Sequence, residues 1–269
     1  MGGVARRATY IKRYREVFPN SPLLLVDTGN FSNGFSEVGR IKTRYLLETM
    51  ALLGTEVANV GINEVNLGYS YFEKLLSLSK FPLISCNHLF AESYQPIATP
   101  YLIKRVRIPS EEAPRELKVG LVGASLRIRK RGAVPLSSEE ILTLDPVETL
   151  KKVAPVVREK CHLLIALLAL KPQQAQYIAQ QIEGLDIIIA GFSYDTRAFT
   201  VGKTIIVYGG GRGKHIGELR LFLDGKNKIS NFDNSLILLD DRIPEDDEMV
   251  RLVKKSQQEV RERRPPSPR

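Results

Sequence analysis

Apolar runs of strand length alternate along the chain with segments of helical period, the sequence form of an α/β layered domain. Residues 22–27 (PLLLVD) predict a buried strand that ends in the loop DTGNFSNG. Residues 38–53 carry a helical pattern, and 55–61 (TEVANVG) predict a second strand. The segment YSYFEKLLSLS predicts another helix, and FPLISCN a third strand.

The pattern then changes. YLIKRVRI and RELKVGLVGAS alternate polar with apolar residues more strictly, as antiparallel or edge strands do, around the turn-forming PSEEAP. A mixed sheet follows. After a loop over 126–145, residues 146–160 predict a helix, HLLIALLAL a strongly apolar strand, QAQYIAQQI a helix and LDIIIAG a strand. The stretch KTIIVYGGGRGKHIGELRLFLDGKNKI predicts consecutive strands joined by glycine and Asp-Gly turns.

Residues 246–263 predict a charged helix with Met249, Leu252, Val253 and Val260 on one face. That narrow stripe suits packing on its own domain or docking a partner equally. With no internal repeat and no linker composition, the organisation expected is a domain over 1–243, a C-terminal helix over 244–263 and a disordered tail over 264–269.

Composition changes this picture little. The chain has 269 residues, 43% of them hydrophobic, enough for a sizeable core. The 39 Lys and Arg against 30 Asp and Glu give a net charge of +9, which leans toward acidic partners without naming one. Cys86 and Cys161 lie far apart in apolar segments with no CxxC, so two buried free thiols are expected, although spacing leaves a disulfide between them open. The N-terminus lacks the apolar core of a signal peptide, and no segment reaches the roughly 18 apolar residues of a membrane span. Arg6 stands where a myristoylation signal wants Ser or Thr. The chain as given therefore predicts no export, a cytoplasmic location by default.

Three local features invite chemistry. His88, His162 and His215 are the only histidines and sit on different elements, so surface or strand-end imidazoles are expected rather than a metal cluster. YGGGRGKHIG lacks the Lys-Ser/Thr ending and the G-x-G-x-x-G spacing of phosphate loops and lies between strands, which favours a turn serving strand pairing. Arg127, Arg129, Lys130 and Arg131 in LRIRKRG are candidate contacts for an anionic ligand. No aromatic interleaves them, which disfavours nucleic acid. Arg6, Arg7, Lys12, Arg13 and Arg15 predict the wet side of a helix.

The ordered blocks GGVARRATYIKR, LLLVDTGNFSNG, MALLGTEVANVGINEVNLG, FPLISCN, LKVGLVGAS, LDPVETLKKVAPVVREKCHLLIALLAL, LDIIIAGFSYD and TIIVYGGGRGKHIGELRLFLD resemble the 5′-nucleotidase and 2′,3′-cyclic phosphodiesterase branch of the calcineurin-like metallophosphoesterases. The resemblance spans nearly the whole chain and rests on the order and spacing of the blocks. It implies an α/β fold, a two-sheet mixed β-sandwich flanked by helices. It also implies a site for two divalent cations about 3.5–4 Å apart, held by oxygen and imidazole donors.

The ligand motifs of that family are altered here. Its opening strand ending in Asp-x-His would precede Gly2-Gly3 and is not in this chain, so the expected sandwich lacks its first strand. An edge would be left open for an upstream segment or a partner chain to cover. The bridging Asp of the next block falls at Asn30, and Gly-Asn-His-Glu reads Gly61-Ile62-Asn63-Glu64, which puts Ile62 at a metal ligand and Asn63 at the catalytic imidazole. The Asp partnering that imidazole falls at Asn66, a further ligand His at Ala169, and the Gly-His-x-His pair at Phe192 and Tyr194. His215 falls where the family often has an aromatic.

Two divalent cations ~3.7 Å apart repel by about 18 kcal/mol at an effective dielectric of ~20, an upper-end figure that anionic ligands must offset. The expectation is thus a non-catalytic metallophosphoesterase-like protein with a degenerate metal site and no cofactor, acting as a scaffold or interaction module. A partner would cover the sheet edge or the C-terminal helix. The alternatives are a residual phosphoesterase using Asn30, Asn63, Asn66 and Tyr194, or a pocket that binds an anionic phosphorylated ligand without turnover. The resemblance also implies exported relatives carrying a further substrate-recognition domain.

Overall fold

The computed structural model describes residues 2–109, 113–126 and 141–263. Its centre is a six-stranded mixed sheet in the order β10-β11-β9-β8-β6-β5, formed by β5 (Tyr101–Ile108), β6 (Arg115–Ser125), β8 (Leu163–Ala169), β9 (Ile187–Ala190), β10 (Phe199–Val201) and β11 (Thr204–Tyr208). β6, β8, β9 and β11 run parallel, and β5 and β10 close the two edges antiparallel. Every residue of β8 (LLIALLA) is buried, because layers cover both faces of the sheet.

On one face lie α5 (Pro146–Arg158) and α6 (Pro172–Gln181), enclosing Leu150, Val157, Leu164, Leu168 and Ile178. Helix α5 starts where Asp145 accepts the N–H groups of Val147 and Glu148, with Pro146 at its first position. On the other face, Leu121, Leu163, Leu167 and Ile187 meet a second layer. That layer comprises the parallel sheet β1 (Val26–Asp27), β2 (Val57–Asn59) and β3 (Leu83–Ile84), and the antiparallel ribbon β12 (His215–Leu223) with β13 (Ile229–Leu238). This is the two-layer sandwich that the resemblance implies, and the mixed sheet that the pattern predicts.

Outside it, α2 (Glu37–Leu52) and α4 (Tyr69–Leu78) bury Leu47, Met50, Phe72 and Leu75 against the small sheet. Helix α1 (Val4–Val17) packs with the C-terminal helix α7 (Asp247–Glu262) around Ile11 and Met249. Helix α7 is also tied to α2 through Glu259, which receives Arg44 and Tyr45. The apolar stripe of α7 is therefore used within the chain, with Met249 and Val260 buried. The tail 264–269 lies outside the described residues.

Several elements differ from the pattern. Only Val26 and Asp27 of the expected strand 22–27 pair with a neighbour. Leu23 and Leu25 pack toward α1 and Leu24 toward the sandwich, without a ladder partner beyond the Glu56 N–H on the Leu25 carbonyl. The presumed loop over 126–145 contains β7 (Ile141–Thr143), which pairs with β4 (His88–Phe90) just after the third strand. A short helix, α3 (Ile62–Val65), occupies the GINE motif, and β10 was not visible in the pattern. Both thiols are free, but Cys161, at the end of α5, is only half-buried. Among the described residues no helix is long and apolar enough to cross a membrane.

Candidate functional site

In sheets of parallel strands, ligand-bearing loops gather at the carboxyl ends. Here those ends are Asp27, Asn59, Ser125, Ala169, Ala190 and Tyr208. After β1 the chain turns at Gly29 and Asn30, with φ of 95° and 61°. The Gly29 N–H donates to Asp27 Oδ1 at 2.8 Å, forming the turn. A Cβ on Gly29 would lie 2.8 Å from the Gly61 nitrogen, so the loops after β1 and β2 interlock at a point where only glycine fits.

Glu64 fastens the interlock. Its Oε2 accepts the N–H groups of Asn30 and Gly61, and its Oε1 accepts that of Ser32, each at 2.8 Å. The residue is fully buried, and burial pushes its carboxyl above the usual range while the three N–H donors pull the other way. Asn30 closes the arrangement by accepting the Asn63 N–H at its own Oδ1, 3.0 Å away. Asp27 is likewise pushed up by burial, against the Gly29 N–H and the charge of Arg7.

The positions singled out in sequence are thus partly brought together. Asn30, Ile62 and Asn63 share the interlocked loops, and Asn66 caps α3 with its N–H on the Ile62 carbonyl. Ala169 is buried at the end of β8, in register with Ser125. Gly191 donates to the Leu168 carbonyl and passes 3.4 Å from the Thr28 hydroxyl, measured from the site of a Cβ. The next residue, Phe192, holds φ at 56° and is 59% exposed. Tyr194 is 54% exposed and sets its ring edge-on to His215, centroids 5.5 Å apart, beside Gly211. Among the described residues no group of three or more His, Cys, Asp and Glu could hold a metal ion. Arg127, Arg129, Lys130 and Arg131 lie outside the described residues.

His88 opens β4 as a buried strand-end imidazole, with Nδ1 3.0 Å from Thr143 Oγ1 and Nε2 2.8 Å from Ser125 Oγ. Burial holds it neutral by lowering its pKa to about 4. His162 accepts the Lys118 N–H at a strand end, as expected. The glycine loop 209–214 joins β11 to β12 and receives the Gly3 N–H on the Gly213 carbonyl.

Sequence reasoning passed over two buried amides. Asn59 Nδ2 donates to the carbonyls of Thr28 and Ala124, and Asn87 Nδ2 to those of Ser125 and Leu144. The available signal was a lone Asn at the carboxyl end of an apolar strand, in VAN and LISCN. A groove of about 680 Å³ lies away from these loops, between α1 and the ribbon.

No protein-family profile matches the chain. It is 26% identical over 214 residues to a 2′,3′-cyclic-nucleotide 2′-phosphodiesterase/3′-nucleotidase of Salmonella typhimurium, covering 71% of this chain and 32% of that protein. It is 27% identical over 274 residues to human 5′-nucleotidase, covering 91% of this chain and 45% of that one. The chain therefore spans about a third to a half of these relatives' length. Its fold matches that of a calcineurin-like phosphoesterase, YfkN of Bacillus subtilis, at a TM-score of 0.77 and 20% identity over 97% of this chain and 90% of the other.

These relatives correct one expectation. Their family uses divalent metal ions, so the comparisons point to a metal cofactor rather than to none. The chain is thus similar in sequence to 5′-nucleotidases and 2′,3′-cyclic phosphodiesterases, and in fold to calcineurin-like phosphoesterases.

Proposed function

We propose that this chain is a phosphoesterase-fold protein that does not turn over phosphate esters at these loops and serves as an interaction module. The observation that carries the reading is Asn30. At the position where the resemblance calls for a bridging carboxylate, it has an amide whose oxygen is committed to the Asn63 N–H, while its backbone N–H is committed to Glu64. Ile62, Ala169, Phe192 and Tyr194 add no carboxylate or imidazole. The nearest acid, Glu64, already accepts three N–H groups. Among the described residues no group of three or more His, Cys, Asp and Glu supports a second, catalytic arrangement at these loops. The reading concerns turnover, and the family's use of divalent ions stands beside it.

Purified protein incubated with p-nitrophenyl phosphate, bis-p-nitrophenyl phosphate and AMP, in Mn²⁺, Zn²⁺ or Mg²⁺, is expected to give no hydrolysis above the metal blank. Turnover that follows the protein through purification and is abolished by a chelator sinks the reading. It would establish instead the second one, a phosphoesterase with an unconventional site at Asn30, Asn63, Asn66 and Tyr194, which the naming of the homologues as phosphoesterases favours.

A further inference from the structure

We propose that the pocket between α2 and α4 binds a small amphipathic anion, its carboxylate or phosphate head at Arg40 and Lys74 and its aliphatic body along Leu67 and Leu78. The pocket has a volume of about 300 Å³, at the small end of the range for ligand sites. One wall is α2, which contributes Arg40 and Thr43 one turn apart. The other is α4, where Tyr71, Lys74, Leu75 and Leu78 fall at the spacing of a single helical face, with Leu67 just ahead of the helix. Both helices are seated on the small sheet through Leu47, Met50, Phe72 and Leu75, so the pocket has a fixed base.

Charge selects an anion. Two cations line the pocket and no acid does. The Arg40 Nε donates to the Gly34 carbonyl at 2.9 Å, which fixes the guanidinium plane and leaves its terminal nitrogens without a partner among the described residues. The Lys74 ammonium is exposed and likewise has no acceptor among the described residues. Glu37, one turn before Arg40 on α2, pairs with Arg263 instead. A fixed planar fork beside an ammonium suits an oxyanion that offers two or more oxygens.

Tyr71 adds a third polar group. Its ring lies across Gly34, where a Cβ would run into the ring and into Leu67, so residue 34 is held to glycine although its φ is outside the left-handed region. The Tyr71 hydroxyl is buried with no hydrogen-bond partner among the described residues. A buried hydroxyl left unpaired is costly, and in a residue that lines a cavity a bound acceptor relieves that cost. Beyond these groups the lining is largely leucine, with Leu78 exposed, and an aliphatic body laid on it removes apolar surface from water.

The probes are octanoate and octyl phosphate, titrated into the full chain by isothermal calorimetry, with octylammonium, octanol and inorganic phosphate as controls. One-to-one binding of at least one of the two anions, about tenfold or more tighter than any control, is the expected result, and the tighter anion identifies the head group. Lys74→Gln should weaken binding about tenfold and Tyr71→Phe about three- to tenfold. Lys74 is exposed, so an unchanged melting temperature verifies that its variant is folded. Tyr71→Phe has no hydrogen bond to lose, so without ligand it should melt no lower than the unaltered chain.

No binding of either anion, or binding no tighter than that of a control, overturns the proposal. So does binding that neither variant weakens, because the anion then sits elsewhere, the interlocked loops included. A Tyr71→Phe variant that melts lower and binds unchanged overturns it too, since the hydroxyl is then structural. The proposal is independent of turnover at the loops, and its failure would leave the phosphate-ester assay to decide that question.

Discussion

The Oδ1 of Asn30 and the backbone N–H of Asn63 are joined by a 3.0 Å hydrogen bond that spans two loops 33 residues apart in sequence. Glu64 reinforces the same junction from beneath, with one oxygen serving Asn30 and Gly61 and the other serving Ser32. The division of labour between these oxygens makes a sharp prediction. In Glu64→Gln the amide oxygen can replace only one of them, and the NH₂ group then faces a backbone donor. A loss of about 2–3 kcal/mol in urea unfolding is expected, with Glu64→Ala costing more. A loss below about 0.5 kcal/mol in Glu64→Gln would show that the carboxylate does not hold the loops.

Gly61→Ala tests the interlock from the other side. Its Cβ would lie 2.6 Å from the Asn30 side chain, far inside contact distance. The side chain must leave its bond to Asn63 to make room, so about 2 kcal/mol or more of stability should be lost. Paired with Asn30→Gly, which removes the side-chain clash but leaves the backbone nitrogen of residue 30 at 2.7 Å from the Cβ, the cost of Gly61→Ala should fall only in part, and a double-mutant cycle in urea reads the difference.

Stability should also depend on pH through His88. Its pKa is lowered from 6.5 to about 4 by burial, so the folded state holds it neutral. For a depressed group the contribution is complete above the unfolded value and is lost as pH falls through the folded one. Between pH 6.5 and 4 the unfolded chain binds the additional proton, and about 3 kcal/mol should drain away. His88→Gln is expected to flatten that part of the profile whatever its own stability. An unchanged slope would assign the pH dependence to other groups.

Arg158 closes the far end of α5. One nitrogen reaches Asp186 Oδ2 at 2.5 Å, and another donates to the Cys161 carbonyl at 2.8 Å and to that of His162. Asp186 in turn accepts the Leu164 N–H. Arg158→Ala leaves two half-buried carbonyls and a carboxylate short of donors, so a loss of about 2–3 kcal/mol is expected. Arg158→Lys should recover only part of it, because one ammonium does not reproduce the planar fork. Full recovery by lysine would mean that charge alone matters there.

The layered fold was legible because burial on both faces writes itself as uninterrupted apolar runs, as in β8, and burial on one face as alternation, as in β5. Leu23–Leu25 misled for the same reason: side-chain burial was read correctly, but a strand also needs a backbone partner, which these residues lack. The three-residue strands β4 and β7 are too short to carry a period. At the loops, residue identity pointed to Asn30, Ile62 and Asn63 as neighbours, whereas the role of Glu64 could not be seen, since its partners are backbone groups that composition does not record. The burial and partners of His88 could not be read, because a histidine at a strand end says nothing about Ser125 and Thr143 arriving from elsewhere.

Asn59 belongs to the small sheet, yet its amide holds carbonyls of Thr28 on its own layer and Ala124 on the large sheet. A single side chain therefore rivets the two halves of the sandwich at the rim where their loops emerge. Any displacement of the Asn30 turn must either shear that rivet or drag the end of β6 with it. Amide exchange at Gly29 and Ser125 should accordingly rise and fall in step, as readings from one moving part.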